Sequence, residues 1–184
     1  MQKRENKIIL FKTLTVLAAS AILVALSIVF GKYLAIPMGD VMRFSFENLP
    51  IILAGMLFGA PVGAAVGVTA DLVGCVLVGY AINPAVTTGA CAIGLISGGV
   101  YKFLPTCPIS FRVISSVLSA HLFGSVIIKT LGLSAFYSIP FYVLVLWRLL
   151  NYVIVGALEC AILLYLLKNR AFMAQVNSIL RKKK

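Results

Sequence analysis

From Asn48 to Gly79 the sequence carries a single charge, Asp71, in 32 residues. As one helix that run would extend about 48 Å, well past the ~30 Å of hydrocarbon in a bilayer. A break is required, and Ala60-Pro61 supplies it, because an interior proline removes an N–H and clashes with the turn before it. Two helices are expected, over 47–59 and 62–79. The rest of the chain has the same character: 61% of residues are hydrophobic and only 11% charged, against about 25% charged in an ordinary soluble domain. With a mean hydropathy of +1.07, there is too little polar material to give each helix a water-facing side. The chain is therefore expected to be an all-α integral membrane bundle.

The remaining spans follow from the same length rule. Residues 8–30 form the first, and its apolar stretch, Thr13 to Phe30, is too long for a signal-peptide core, so it is expected to be retained. Residues 31–47 form a loop. After the Asn-Pro turn in YAINPA come spans over 85–104, 110–131 and 141–167, the last two separated by a loop over 133–140. Six spans, forming one membrane domain over 1–184, place both termini on one side. The net charge of +11 is concentrated there: ten of the sixteen basic residues lie at the two ends. Adding the loop between Lys102 and Arg112, the imbalance puts both termini in the cytoplasm, where basic ends also meet lipid headgroups. Nucleic acid is not an expected partner, because no basic stretch is interleaved with aromatics.

Glycines at 55, 59, 63 and 67 stand four apart. The first two are expected on one face of the second helix and the other two on one face of the third. Small residues at this spacing let helix backbones approach closely. Ala21 and Ala25 give the first helix a similar strip, suited to contact with another protein or to internal packing. The four cysteines are widely spaced and are expected to be small buried apolar residues.

Ionisable residues inside spans cost about 2.5–3.5 kcal/mol on insertion scales and usually face a cavity or a partner. Counted from the outer ends, Asp71 lies about 12 Å deep, and Arg148 and Asn151 about 10 and 15 Å. Lys129 is near the outer edge. These residues share one layer, with Tyr80, Phe141, Tyr142, Trp147 and other aromatics at the same level. One reading is a ligand cavity with convergent polar groups and aromatic walls. The other is an Asp71–Arg148 ion pair that knits two helices, with the aromatics as interface anchors. His121 and Glu159 form a separate pair near mid-membrane, either satisfying each other or relaying protons in a stand-alone transporter. The chain has no phosphate-binding loop and no hydrolase or metalloprotease motif, so no enzyme activity, metal or cofactor is expected.

RFSFENLPIILAGMLFGAPVGAAVGVTADLVG, residues 43–74, resembles the substrate-binding S components of energy-coupling factor vitamin transporters, most closely the folate type. Residues 80–90 depart from the pattern of many folate-type members. The resemblance implies a binder that captures a vitamin from outside. It then delivers the vitamin to a transmembrane coupling protein driven by two ATPase subunits, in a bacterial plasma membrane. It also implies docking through Ala21 and Ala25. For folate, Asp71 would accept two adjacent pterin donors and Asn151 a neighbouring group. Arg43, Lys129 and Arg148 would meet the glutamate tail, with Tyr80 and Phe141 alongside.

Overall fold

The computed structural model describes residues 2–38, 42–137 and 140–180, with side chains over 14–36, 44–135 and 140–179. Helix α1, Gln2–Ile28, widens into a π-helical turn at Val29–Tyr33. Where the sequence suggested only a loop, short strands β1 (Ile36–Met38) and β2 (Met42–Phe44) form an antiparallel hairpin, pairing Ile36 with Phe44 and Pro37 with Arg43. Seven further helical segments follow: α2, Asn48–Phe58; α3, Ala60–Val78; α4, Pro84–Phe103; α5, Ile109–Ala120; α6, Thr130–Tyr137; α7, Phe141–Lys168; and α8, Arg170–Leu180. A π-helical segment, His121–Lys129, joins α5 to α6, so one rod runs from 109 to 137. The loop expected over 133–140 therefore begins later. Helix α8 was not anticipated; its Phe172 and Met173 rest on the core and Val176 is buried.

The break between α2 and α3 is made by Gly59, at φ 97°. That conformation strains any residue with a Cβ. Pro61 lies inside the first turn of α3, where its missing N–H removes no intrahelical bond. Gly59 is thus a hinge between the helices and not part of the second helix's face. At the far end of α3, Gly79 closes the helix with φ 71°. Pro84 then opens α4 behind Asn83, whose side chain accepts from the Ala85 N–H at 3.0 Å.

Five helical rods are long and apolar enough to cross a membrane: Leu14–Tyr33, Ala60–Val78, Pro84–Phe103, Ile109–Ala135 and Phe141–Lys168. Helix α2 is shorter, about 16 Å, and is buried from Asn48 through Met56. Its sequence is apolar all round because neighbouring helices surround it, not lipid.

Helix α4 lies against α2, α3, α5 and the π segment. The glycines explain how. A Cβ on Gly55 would sit 2.6 Å from the Gly94 carbonyl oxygen, and one on Gly94 would fall 2.1 Å from the Gly63 carbonyl carbon. The close approach expected of Gly55, Gly63 and Gly67 is present, and its receiving surface is the α4 series Gly94 and Gly98 together with Ala90. The polarity of the bundle is inverted relative to a soluble protein. Phe103 is 86% exposed and Val76 70%, while Glu159, Ser97, Ser116 and Ser125 are at 0%. Apolar surroundings for the outside and polar groups paired within describe a bundle whose solvent is lipid.

Candidate functional site

A small cavity of about 10 Å³ lies where α1, the start of α2, α3 and α4 meet. Its walls include Ser27 and Lys32 from the first helix, Glu47 at the entrance to α2, Gly67 and Asp71 from α3, and Ala90 from α4. Such a space holds about one water, whereas small-molecule sites occupy about 300–1,000 Å³.

Asp71 is buried and lines this cavity. Its Oδ2 accepts from the Thr87 hydroxyl at 2.6 Å, and its Oδ1 lies 4.0 Å from the Cys75 sulfur one turn along. Lys32 reaches the same sulfur at 3.9 Å and passes 5.6 Å from the centre of the Tyr80 ring. The Asp71–Arg148 pair offered as an alternative from the sequence is not formed. Arg148 turns instead to the π segment, donating from Nη1 to the Ser125 carbonyl at 2.8 Å, and its Nε is buried without a hydrogen-bond partner among the described residues. The two residues occupy neighbouring but separate polar clusters.

The second cluster is organised by the π segment, which carries His121, Ser125 and Lys129 at four-residue intervals. Wide turns of this kind are frequent at functional positions because they redirect side chains. Lys129 donates to Glu47 Oε1 at 2.7 Å and to Asn48 Oδ1 at 3.4 Å. Asn48 reaches the Ser125 hydroxyl at 3.5 Å, and that hydroxyl lies 3.4 Å from His121 Nδ1. On its other side His121 bonds Glu159 through Nε2 at 2.5 Å and stacks on Tyr152 with ring centres 4.5 Å apart. The mutual satisfaction of His121 and Glu159 is thus present, although Glu159 Oε1 has no hydrogen-bond partner among the described residues. A continuous polar line runs from Glu47 at the cavity to Glu159 in the core.

Set against the sequence expectations, the structure places Asp71 in the cavity and Lys129 directly behind one of its walls. Arg148 and Asn151 lie one turn apart on α7, and neither lines the cavity. Tyr80 flanks Lys32 just past the C-terminal end of α3. Phe141 begins α7 and is exposed, as are Tyr142 and Trp147. No aromatic side chain is part of this cavity's wall. The side chains of Arg43 and Phe136 lie outside the described residues. Four polar contributors were missed: Lys32, Glu47, Asn48 and Thr87. Only Glu47 carried a visible signal, as the last charge before the long apolar run. Thr87 reaches Asp71 only because the α3–α4 turn brings the two helices together.

A buried carboxylate beside a small polar cavity, in a bundle whose outer faces are apolar, marks a membrane-embedded protein with a polar interior site. A family model for the ECF transporter, substrate-specific component, matches residues 15–181. The chain belongs to that family of multi-pass membrane transporter subunits, which is not a family of enzymes. Among solved structures it is similar to the crystal structure of FolT bound with folic acid, at 28% identity and a TM-score of 0.67, covering 82% of this chain and 90% of that one. No curated protein matches the chain.

Proposed function

We propose that this substrate-specific component binds folate or a close relative, taken from outside a bacterial plasma membrane, with both termini on the cytoplasmic side. The observation that carries the proposal is Asp71, a carboxylate held in a lipid-facing helix at a cavity wall. A pterin offers an N–H and an amino group side by side, which one carboxylate accepts together. Thr87 already donates to Asp71 and holds it in place for that role. Arg43, Lys129 and Arg148 supply positive charge for the glutamate tail, Asn151 a further polar contact, and Tyr80 and Phe141 apolar cover. The similarity to a folic acid-bound structure supports the same ligand class. Mass spectrometry of the small molecule that co-purifies with the protein tests the assignment: a folate is expected, and thiamin or riboflavin would overturn it.

Delivery to a coupling protein driven by two ATPase subunits is the second part of the proposal. Ala21 and Ala25 are both exposed on α1, which leaves their small face open to a partner helix. Replacing both with Trp is expected to leave binding by the isolated protein intact while abolishing ATP-driven uptake and co-purification of the coupling protein. Uptake at the normal rate by this double variant would move the docking surface elsewhere.

A further inference from the structure

Asn83 closes the turn between α3 and α4 with both ends of its side chain. The amide oxygen accepts from the Ala85 N–H at 3.0 Å, and the amide nitrogen donates to the Gly132 carbonyl of α6 at 3.3 Å. Its backbone carbonyl accepts from the N–H groups of Val86 at 2.9 Å and Thr87 at 3.1 Å, which starts the first turn of α4. Helix α6 receives this turn on bare backbone, since a Cβ on Gly132 would fall 2.3 Å from the Ala85 Cβ. One turn further on, a Cβ on Gly89 would fall 2.9 Å from the Gly124 carbonyl oxygen. The start of α4 is thus seated on α6 and on the π segment.

The same turn presents Thr87 to α3. Its hydroxyl donates to Asp71 Oδ2 at 2.6 Å, the length of a charge-assisted bond to an ionised carboxylate. A hydroxyl has one proton, so the 3.3 Å approach of the same oxygen to the Asn83 carbonyl is the weaker contact. The other carboxylate oxygen, Oδ1, has the Cys75 sulfur as its neighbour at 4.0 Å, a far weaker contact. Thr87 therefore sets the orientation of the Asp71 carboxylate, and Asn83 sets the position of Thr87. We propose that Asn83 is a positioning residue for Asp71: by tying the start of α4 to α6, it places the Thr87 hydroxyl that fixes the angle at which the carboxylate meets the ligand. This rests on the folate reading above and deepens it, giving the α3–α4 turn a part in recognition at the pterin end that is exerted through Asp71.

The test uses purified full-length protein and two probes, folic acid and pteroic acid, which keeps the pterin and lacks the glutamate, with affinities read by isothermal titration. Asn83→Ser keeps an oxygen to cap α4 but is too short to reach Gly132. It is expected to weaken both probes by the same factor, about three- to tenfold, the scale of one hydrogen bond. Gly132→Ala disturbs the same seat from the α6 side and is expected to act alike, and it decides the matter if Asn83→Ser does not fold. Thr87→Val is expected to weaken both probes at least as much. Adding Asn83→Ser to Thr87→Val is expected to cost nothing further, because the path to Asp71 is already cut. Thr87→Ser, which retains the hydroxyl, is expected to bind as the wild type does. A merely structural role for Asn83 would give additive losses, and additivity overturns the proposal. So does wild-type affinity in a well-folded Asn83→Ser or Gly132→Ala protein, and so does a loss confined to folic acid. A wild type that binds neither probe overturns the folate reading and the positioning role together, an outcome distinct from the others.

Discussion

The bundle is held together differently on its two sides. Where α2, α3 and α4 meet, glycines face glycines and the contact is backbone against backbone. Where α2 meets the π segment and α7, the contact is a line of hydrogen-bonded polar side chains from Glu47 to Glu159. Lipid explains why both are needed. Apolar side chains gain little by leaving lipid for one another, so helices associate through close approach of small residues or through polar groups that lipid cannot satisfy. The glycine side gives a rigid wall, and Asp71 is mounted on it. The polar side carries buried charges, each held by hydrogen bonds to side chains of other segments.

The largest effect is expected on the rigid side. Gly94→Leu would drive a side chain into the backbone of Gly63, which cannot move without separating α3 from α4. The variant is expected to yield no monodisperse protein in size-exclusion chromatography. Gly99, on the same helix, has open space where a Cβ would stand, so Gly99→Ala is expected to behave as wild type. A folded Gly94→Leu protein, or a damaged Gly99→Ala one, would break the distinction between packed and open faces of α4.

On the polar side the expected losses are smaller and can be compensated. Glu159→Leu leaves His121 Nε2 without its acceptor and should cost roughly 1–3 kcal/mol of stability, the penalty of an unsatisfied buried polar group. Adding His121→Phe removes the stranded group, and most of the lost stability should return, read as the melting temperature in detergent. If the double variant is less stable than Glu159→Leu alone, this pair is more than a mutually satisfied couple, and the proton-relay alternative gains ground.

The same contrast governs what could be read from the sequence. Helix positions followed from apolar length, and the close-contact role of Gly55, Gly63 and Gly67 followed from their spacing, because both are local properties of the chain. Their α4 counterparts at 94 and 98 have the same four-residue spacing but lie among serine and isoleucine in a less apolar stretch. The polar residues were visible individually: Asp71, His121, Lys129, Arg148 and Glu159 all stand out against apolar neighbours. Which of them pair was legible only for His121 with Glu159, where equal depth left few choices. Lys129 pairs with Glu47, 82 positions away, and Arg148 chooses a backbone carbonyl, an acceptor every residue offers. The π segment was not legible at all, since its residues have ordinary helix-compatible identities.

The most direct measurement is the affinity of folic acid for Asp71→Asn beside the wild type, by isothermal titration of the purified proteins. Asparagine keeps the shape and the Thr87 contact but loses the charge-assisted acceptor, worth roughly 1.5–3 kcal/mol. Wild-type protein should bind folic acid, and Asp71→Asn should bind it between about ten- and a hundredfold more weakly at unchanged melting temperature. Equal affinities in two well-folded proteins would contradict the account, leaving Asp71 as a structural residue and the ligand to be held elsewhere.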